Sequence, residues 1–88
     1  MNLRDKEANT PLFFCTSIKS LHVFLNHGAN INAVNRYGEA PLFKIKSLKI
    51  FKEMVKHGAE INVWNIEALL SAQESNLEIY DYIIAKYY

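Results

Sequence analysis

The sequence predicts an all-α protein, a short stack of about three paired-helix units with projecting loops, and three observations predict it. First, the chain repeats itself. Thr10-Pro11-Leu12-Phe13 returns as Ala40-Pro41-Leu42-Phe43, and His27-Gly28-Ala29-Asn30-Ile31-Asn32 returns as His57-Gly58-Ala59-Glu60-Ile61-Asn62, both displaced by 30 residues. A fixed period of this length marks units that bury their apolar faces on one another. Second, each unit holds start and stop signals for two short helices. Third, the apolar residues between those signals follow a helical period.

Pro11 and Pro41 suit a first helical position, where a missing N–H costs nothing and the fixed φ already fits a helix. Ser17 and Ser47 can each cap a second helix by accepting from an orphaned backbone N–H, which leaves the first helix very short. In the second helix of unit two, Leu48, Phe51, Met54 and Val55 fall on one face, with Lys49, Lys52, Glu53 and Lys56 turned outward. Unit one offers Ile18, Leu21, Phe24 and Leu25 at the same spacing. Gly28 and Gly58 supply the left-handed residue that ends a helix. The Asn-rich segments after them, Ile31 to Gly38 and Ile61 to Asn65, predict loops or small hairpins. In the last part, Asn76-Leu77-Glu78-Ile79-Tyr80 echoes Ser47-Leu48-Lys49-Ile50-Phe51 at an offset of 29, which predicts a closing helix pair. One domain over 1–88 follows, with repeat one at 5–34, repeat two at 35–64 and a degenerate closing unit at 65–88.

These residues resemble ankyrin repeats. That family's pattern, Gly-x-Thr-Pro-Leu-His, a second apolar helix, then Gly-Ala-Asp-Val-Asn, is similar to Asn9-Thr10-Pro11-Leu12-Phe13 through Gly28-Ala29-Asn30-Ile31-Asn32, and again to Gly38-Glu39-Ala40-Pro41-Leu42-Phe43 through Gly58-Ala59-Glu60-Ile61-Asn62. The chain departs from it in period, 30 residues against about 33. It departs also at Phe13 and Phe43, where the pattern has His, and at Ala40, where Thr would cap. The resemblance implies an ankyrin-like solenoid whose loop tips and concave side meet a partner protein. Small ankyrin-like proteins of this kind occur as immunity partners of bacterial toxins.

Composition limits the alternatives. At 88 residues and 10.2 kDa the core is small, and 50% hydrophobic content with three Gly and two Pro describes a foldable chain. The single cysteine, Cys15, permits no internal disulfide. Met1-Asn2-Leu3-Arg4-Asp5 carries charges where a secretory signal needs an apolar core, and the expected compartment is the cytoplasm, with no membrane association. The net charge of +1 hides a polarity: residues 1–58 carry nine basic and four acidic side chains, and residues 59–88 carry one basic and five acidic. Such a dipole orients a charged partner as it approaches.

No catalytic motif is present: there is no Gly-rich phosphate loop, paired-carboxylate motif or serine elbow, so neither an enzyme nor a small-molecule substrate is expected. His22, His27, His57 and Cys15 are the soft or borderline ligands. His27 and His57 occupy equivalent places in adjacent units, and helices stacked about 8–10 Å apart hold such a pair too far apart for one ion, so neither metal nor cofactor is expected. Cys15 aligns with Ile45 and reads as a core residue rather than a nucleophile. The lysines from Lys44 to Lys56 follow one helix face, more in keeping with a solvated face than with phosphate binding.

The expected function is therefore binding of another protein, as a stand-alone inhibitor or an immunity protein that neutralises a toxin or effector. The alternative is a scaffold or adaptor subunit that self-associates or joins a larger complex. On the resemblance, Val34, Arg36 and Tyr37 mark one projecting finger and Val63, Trp64 and Ile66 the next, with Phe14 and Lys44 on the concave side. Tyr, Trp and Arg most often dominate interface energetics. Trp64 could instead fold back over the last helix pair. The tail, with Leu77, Tyr80, Ile83, Ile84 and Tyr87 as its expected inward stripe and Tyr82 and Tyr88 over the edge, is either a cap or a docking and dimerisation surface.

Overall fold

A computed structural model describes residues 4–88, and among these the chain is all-helical, with four α-helices, two 3₁₀ turns and no strand. The 3₁₀ turns, Pro11–Phe14 and Pro41–Phe43, begin at the two prolines. Four and three residues are too few for an α-helix, and this is where the short period shortens each unit. After each turn comes a nine-residue helix, α1 over Ile18–Asn26 and α2 over Leu48–Lys56. As expected, Ser17 caps α1, its Oγ accepting from Ser20 N–H at 3.1 Å, and Ser47 caps α2 by accepting from Ile50 N–H at 3.4 Å. Both helices end before a glycine at positive φ, 84° at Gly28 and 100° at Gly58. The last part of the chain forms α3, Ile66–Ala72, and α4, Leu77–Tyr87, the latter capped by Asn76.

These elements make two rows. One contains the first 3₁₀ turn, the second and α3; the other contains α1, α2 and α4, each packed on its neighbour in the row. Between the rows lies the core, with Leu12, Leu21, Phe51, Met54, Leu69, Ile79 and Ile83 essentially without solvent contact. Cys15 and Ile45 are both buried, the equivalent core places that their alignment predicts, and burial pushes the Cys15 thiol above its ordinary pKa. No helix among the described residues is long and apolar enough to cross a membrane.

Three local expectations are corrected. Ile50, absent from the predicted α2 stripe, is buried, whereas Leu48 and Val55 are only partly so, because α2 packs on α4 as well as on α1. Glu53, expected to face outward, is drawn between two histidines and is half-buried. In α4 the inward stripe is Ile79, Tyr82, Ile83 and Tyr87, while Leu77 and Ile84 face out and Tyr80 is only half-buried. The Asn76 cap fixes where the helix starts, and with it a rotation that seats Tyr82 edge-on against Phe51, ring centroids 6.0 Å apart.

Candidate functional site

The segments between the two rows' elements are turns, and their shape is set by asparagine side chains. Asn35 is buried; its Oδ1 accepts from the backbone N–H groups of Tyr37 at 2.9 Å and Glu39 at 3.0 Å. One period earlier, Asp5 Oδ1 accepts from Glu7 N–H at 3.0 Å and Asn9 N–H at 2.9 Å, the same turn built with a carboxylate. These bonds to the charged form hold the Asp5 carboxyl below its usual pKa. The two turns are joined: Asn35 Nδ2 donates to Asn9 Oδ1 at 2.8 Å, and Arg36 N–H donates to Glu7 O at 2.8 Å. The next junction uses Asn32, whose Nδ2 donates to Gly58 O at 3.0 Å and whose Oδ1 accepts from Glu60 N–H at 2.9 Å. Rigid backbone here leaves the outward side chains on fixed mounts.

Those side chains are exposed, and all but Arg36 are apolar or aromatic. Tyr37 is 65% exposed, Val63 79% and Trp64 88%, and Val34 and Arg36 are also exposed. Trp64 therefore does not fold back over the last helix pair. Its turn is held by Asn62, whose Oδ1 accepts from Trp64 N–H at 3.0 Å and Asn65 N–H at 3.1 Å. Ile66 is different: it opens α3, packs against the core and lines a depression with Val63, Tyr87 and Tyr88, so it is not a free tip.

Phe14 and Lys44 are brought together in one groove of about 670 Å3 with Cys15, Thr16, Ile45 and Ile50. Phe14, 63% exposed, also lines a neighbouring depression with Thr10, Thr16 and Phe24, so its ring is shared by the two. Lys44 pairs with Glu39 at 3.3 Å.

The lysine face is largely engaged internally. Lys46 Nζ donates to Ala72 O at 2.9 Å and Gln73 Oε1 at 3.2 Å, and Lys52 lies over the Tyr82 ring at 5.3 Å. With Lys44 on Glu39, three of the five lysines between Lys44 and Lys56 have acceptors within the protein.

The histidines meet in an unforeseen pairing. Spacing suggests comparing His27 with His57, but His22 is the ring beside His57, with centroids 5.3 Å apart and planes at 71°. Both rings reach Glu53 Oε2, His22 Nε2 at 2.9 Å and His57 Nε2 at 3.0 Å. A signal was present: Glu53 stands four residues before His57 on one helix face, whereas the equivalent residue in unit one is Val23. His27 accordingly turns its Nδ1 to Val23 O at 2.8 Å.

Comparisons with known proteins return no match: no family model, curated protein or solved structure is similar to this chain.

Proposed function

We propose that this chain is an ankyrin-like solenoid that holds a partner protein, and that it is a binding protein rather than an enzyme. The observation that carries the reading is the exposure of Tyr37, Val63 and Trp64 on turns whose backbones are fixed by buried or half-buried asparagines. Large aromatic side chains left in water on a rigid mount lose little further entropy when a partner covers them. The groove of Phe14 and Lys44 is the candidate concave contact. The more specific proposal is an inhibitor or immunity protein that neutralises a toxin, supported by the charge polarity between residues 1–58 and 59–88.

Affinity capture from the source cell tests the general reading. A protein recovered in stoichiometric amount supports it, and recovery that disappears on nuclease treatment contradicts it in favour of nucleic acid. For the immunity proposal, co-expression with the products of adjacent genes is decisive. That proposal fails if no neighbour binds and none is toxic without this protein.

A second reading rests on its own observation. Leu77 and Ile84 on α4 and Tyr88 just beyond it face outward beside the half-buried Tyr80, with Leu77 and Tyr88 each 69% exposed. Self-association through this end would make the chain a scaffold subunit. Light scattering across a concentration series decides it, since a monomer at every concentration removes the self-association version.

A further inference from the structure

The three side chains of His22, Glu53 and His57 bridge α1 and α2, and one ligand atom from each lies within 4.8 Å of the other two. We propose that they form a Zn²⁺ site that clamps the two helices together. Two imidazole nitrogens and one carboxylate oxygen are a donor set suited to zinc and neighbouring transition metals, and poorly suited to calcium or magnesium. Zinc bonds these atoms at about 2.0–2.2 Å in tetrahedral geometry, which places ligand atoms roughly 3.3 Å apart. The two nitrogen–oxygen separations, 2.9 and 3.0 Å, are already close to that value. The third separation, between the two imidazole nitrogens, is within 4.8 Å, and closing it turns two rings that are 45% and 39% exposed.

Zinc must compete with protons for these nitrogens. A carboxylate only accepts hydrogen bonds, so each ring now presents an N–H from Nε2 to Glu53. To ligate, each ring must present Nε2 as a bare lone pair with its proton on Nδ1, so zinc displaces the Nε2 protons and binding weakens as pH falls. The depression around these groups is also lined by Leu25, Asn26 and Lys56 and is open to solvent, leaving the fourth zinc position to water. The Lys56 charge opposes a cation and limits the affinity.

Titration of the full chain with ZnCl2 tests the site. The expected result is a melting temperature that rises with ZnCl2 concentration, and Co²⁺ in place of Zn²⁺ should give visible d–d absorption of tetrahedral strength that reaches one ion per chain. His57→Ala and His22→Gln should each abolish both signals. The second variant keeps a donor for Glu53, and circular dichroism verifies that the helix pair persists. His27→Ala should leave both signals intact. No shift with zinc, an equal shift with MgCl2, or a zinc response surviving in His22→Gln at the same midpoint would overturn the proposal.

Discussion

Gln73 donates its side-chain amide to the carbonyl oxygen of Ile45 at 2.8 Å, from a position with no exposed surface. The same amide nitrogen lies 3.2 Å from Leu42 O and 3.4 Å from Phe43 O, so it serves the carbonyls of the second 3₁₀ turn. A turn this short leaves those carbonyls without helical partners, and burial makes an unpaired carbonyl expensive. Gln73→Leu should therefore lower stability by about 1–3 kcal/mol. Urea unfolding measures it. A loss below about 0.5 kcal/mol, the range of ordinary surface changes, would show that the carbonyls find other partners.

Ala8 has φ of 64°, and the residue one period later, Gly38, has φ of 76°. The Asp5 and Asn35 turns both demand a left-handed residue, and only the second has a glycine to supply it. An alanine there is strained by about 1–2 kcal/mol, partly offset because glycine gives the unfolded chain more freedom. Ala8→Gly should stabilise the protein by about 0.5–1 kcal/mol, read as a higher melting temperature.

Thr10 was expected to cap, with Ala40 as the weakened copy. Its side chain makes no capping bond, and the buried Oγ1 has no hydrogen-bond partner among the described residues. Thr10→Val keeps the shape and removes the unpaired hydroxyl. Chemical denaturation should find it neutral or up to about 1 kcal/mol more stable.

Glu53 gives a pH dependence whose sign is fixed. Hydrogen bonds from His22, then His57, with Lys56 nearby, hold its carboxyl below the ordinary value of a free glutamate, about 4.3. The stabilisation is therefore present above that value and is lost as pH falls through the lower folded value. Melting temperatures measured from neutral pH down to about pH 3 should fall less steeply in Glu53→Gln than in the wild-type chain. Equal slopes would show that the carboxylate gains nothing from its histidines.

The helical elements were legible because their signals are local. Pro11, Ser17 and Gly28, with their copies at 41, 47 and 58, act through their own backbone geometry and need no knowledge of the rest of the chain. The rotation of α4 was not legible, because Tyr82 finds Phe51 from 31 residues away and the apolar run from Tyr80 to Tyr88 offers several faces of similar hydrophobicity. The His22–Glu53–His57 cluster was hidden for a similar reason. Repeat symmetry directs attention to His27 and His57, whereas contact between stacked helices joins positions that are not equivalent. Among the expected site residues, the exposure of Tyr37 and Trp64 follows from the turns around them, while Ile66 was drawn inward by the helix it begins.

Binding of the captured partner by calorimetry, comparing wild type with Tyr37→Ala, Trp64→Ala and the distant surface variant Lys19→Ala, tests the central claim most directly. Each aromatic substitution should leave the melting temperature nearly unchanged and weaken binding by at least about 10-fold, roughly 1.4 kcal/mol, with Lys19→Ala close to wild type. Wild-type affinity in both Tyr37→Ala and Trp64→Ala would contradict the assignment of the turns as the working surface.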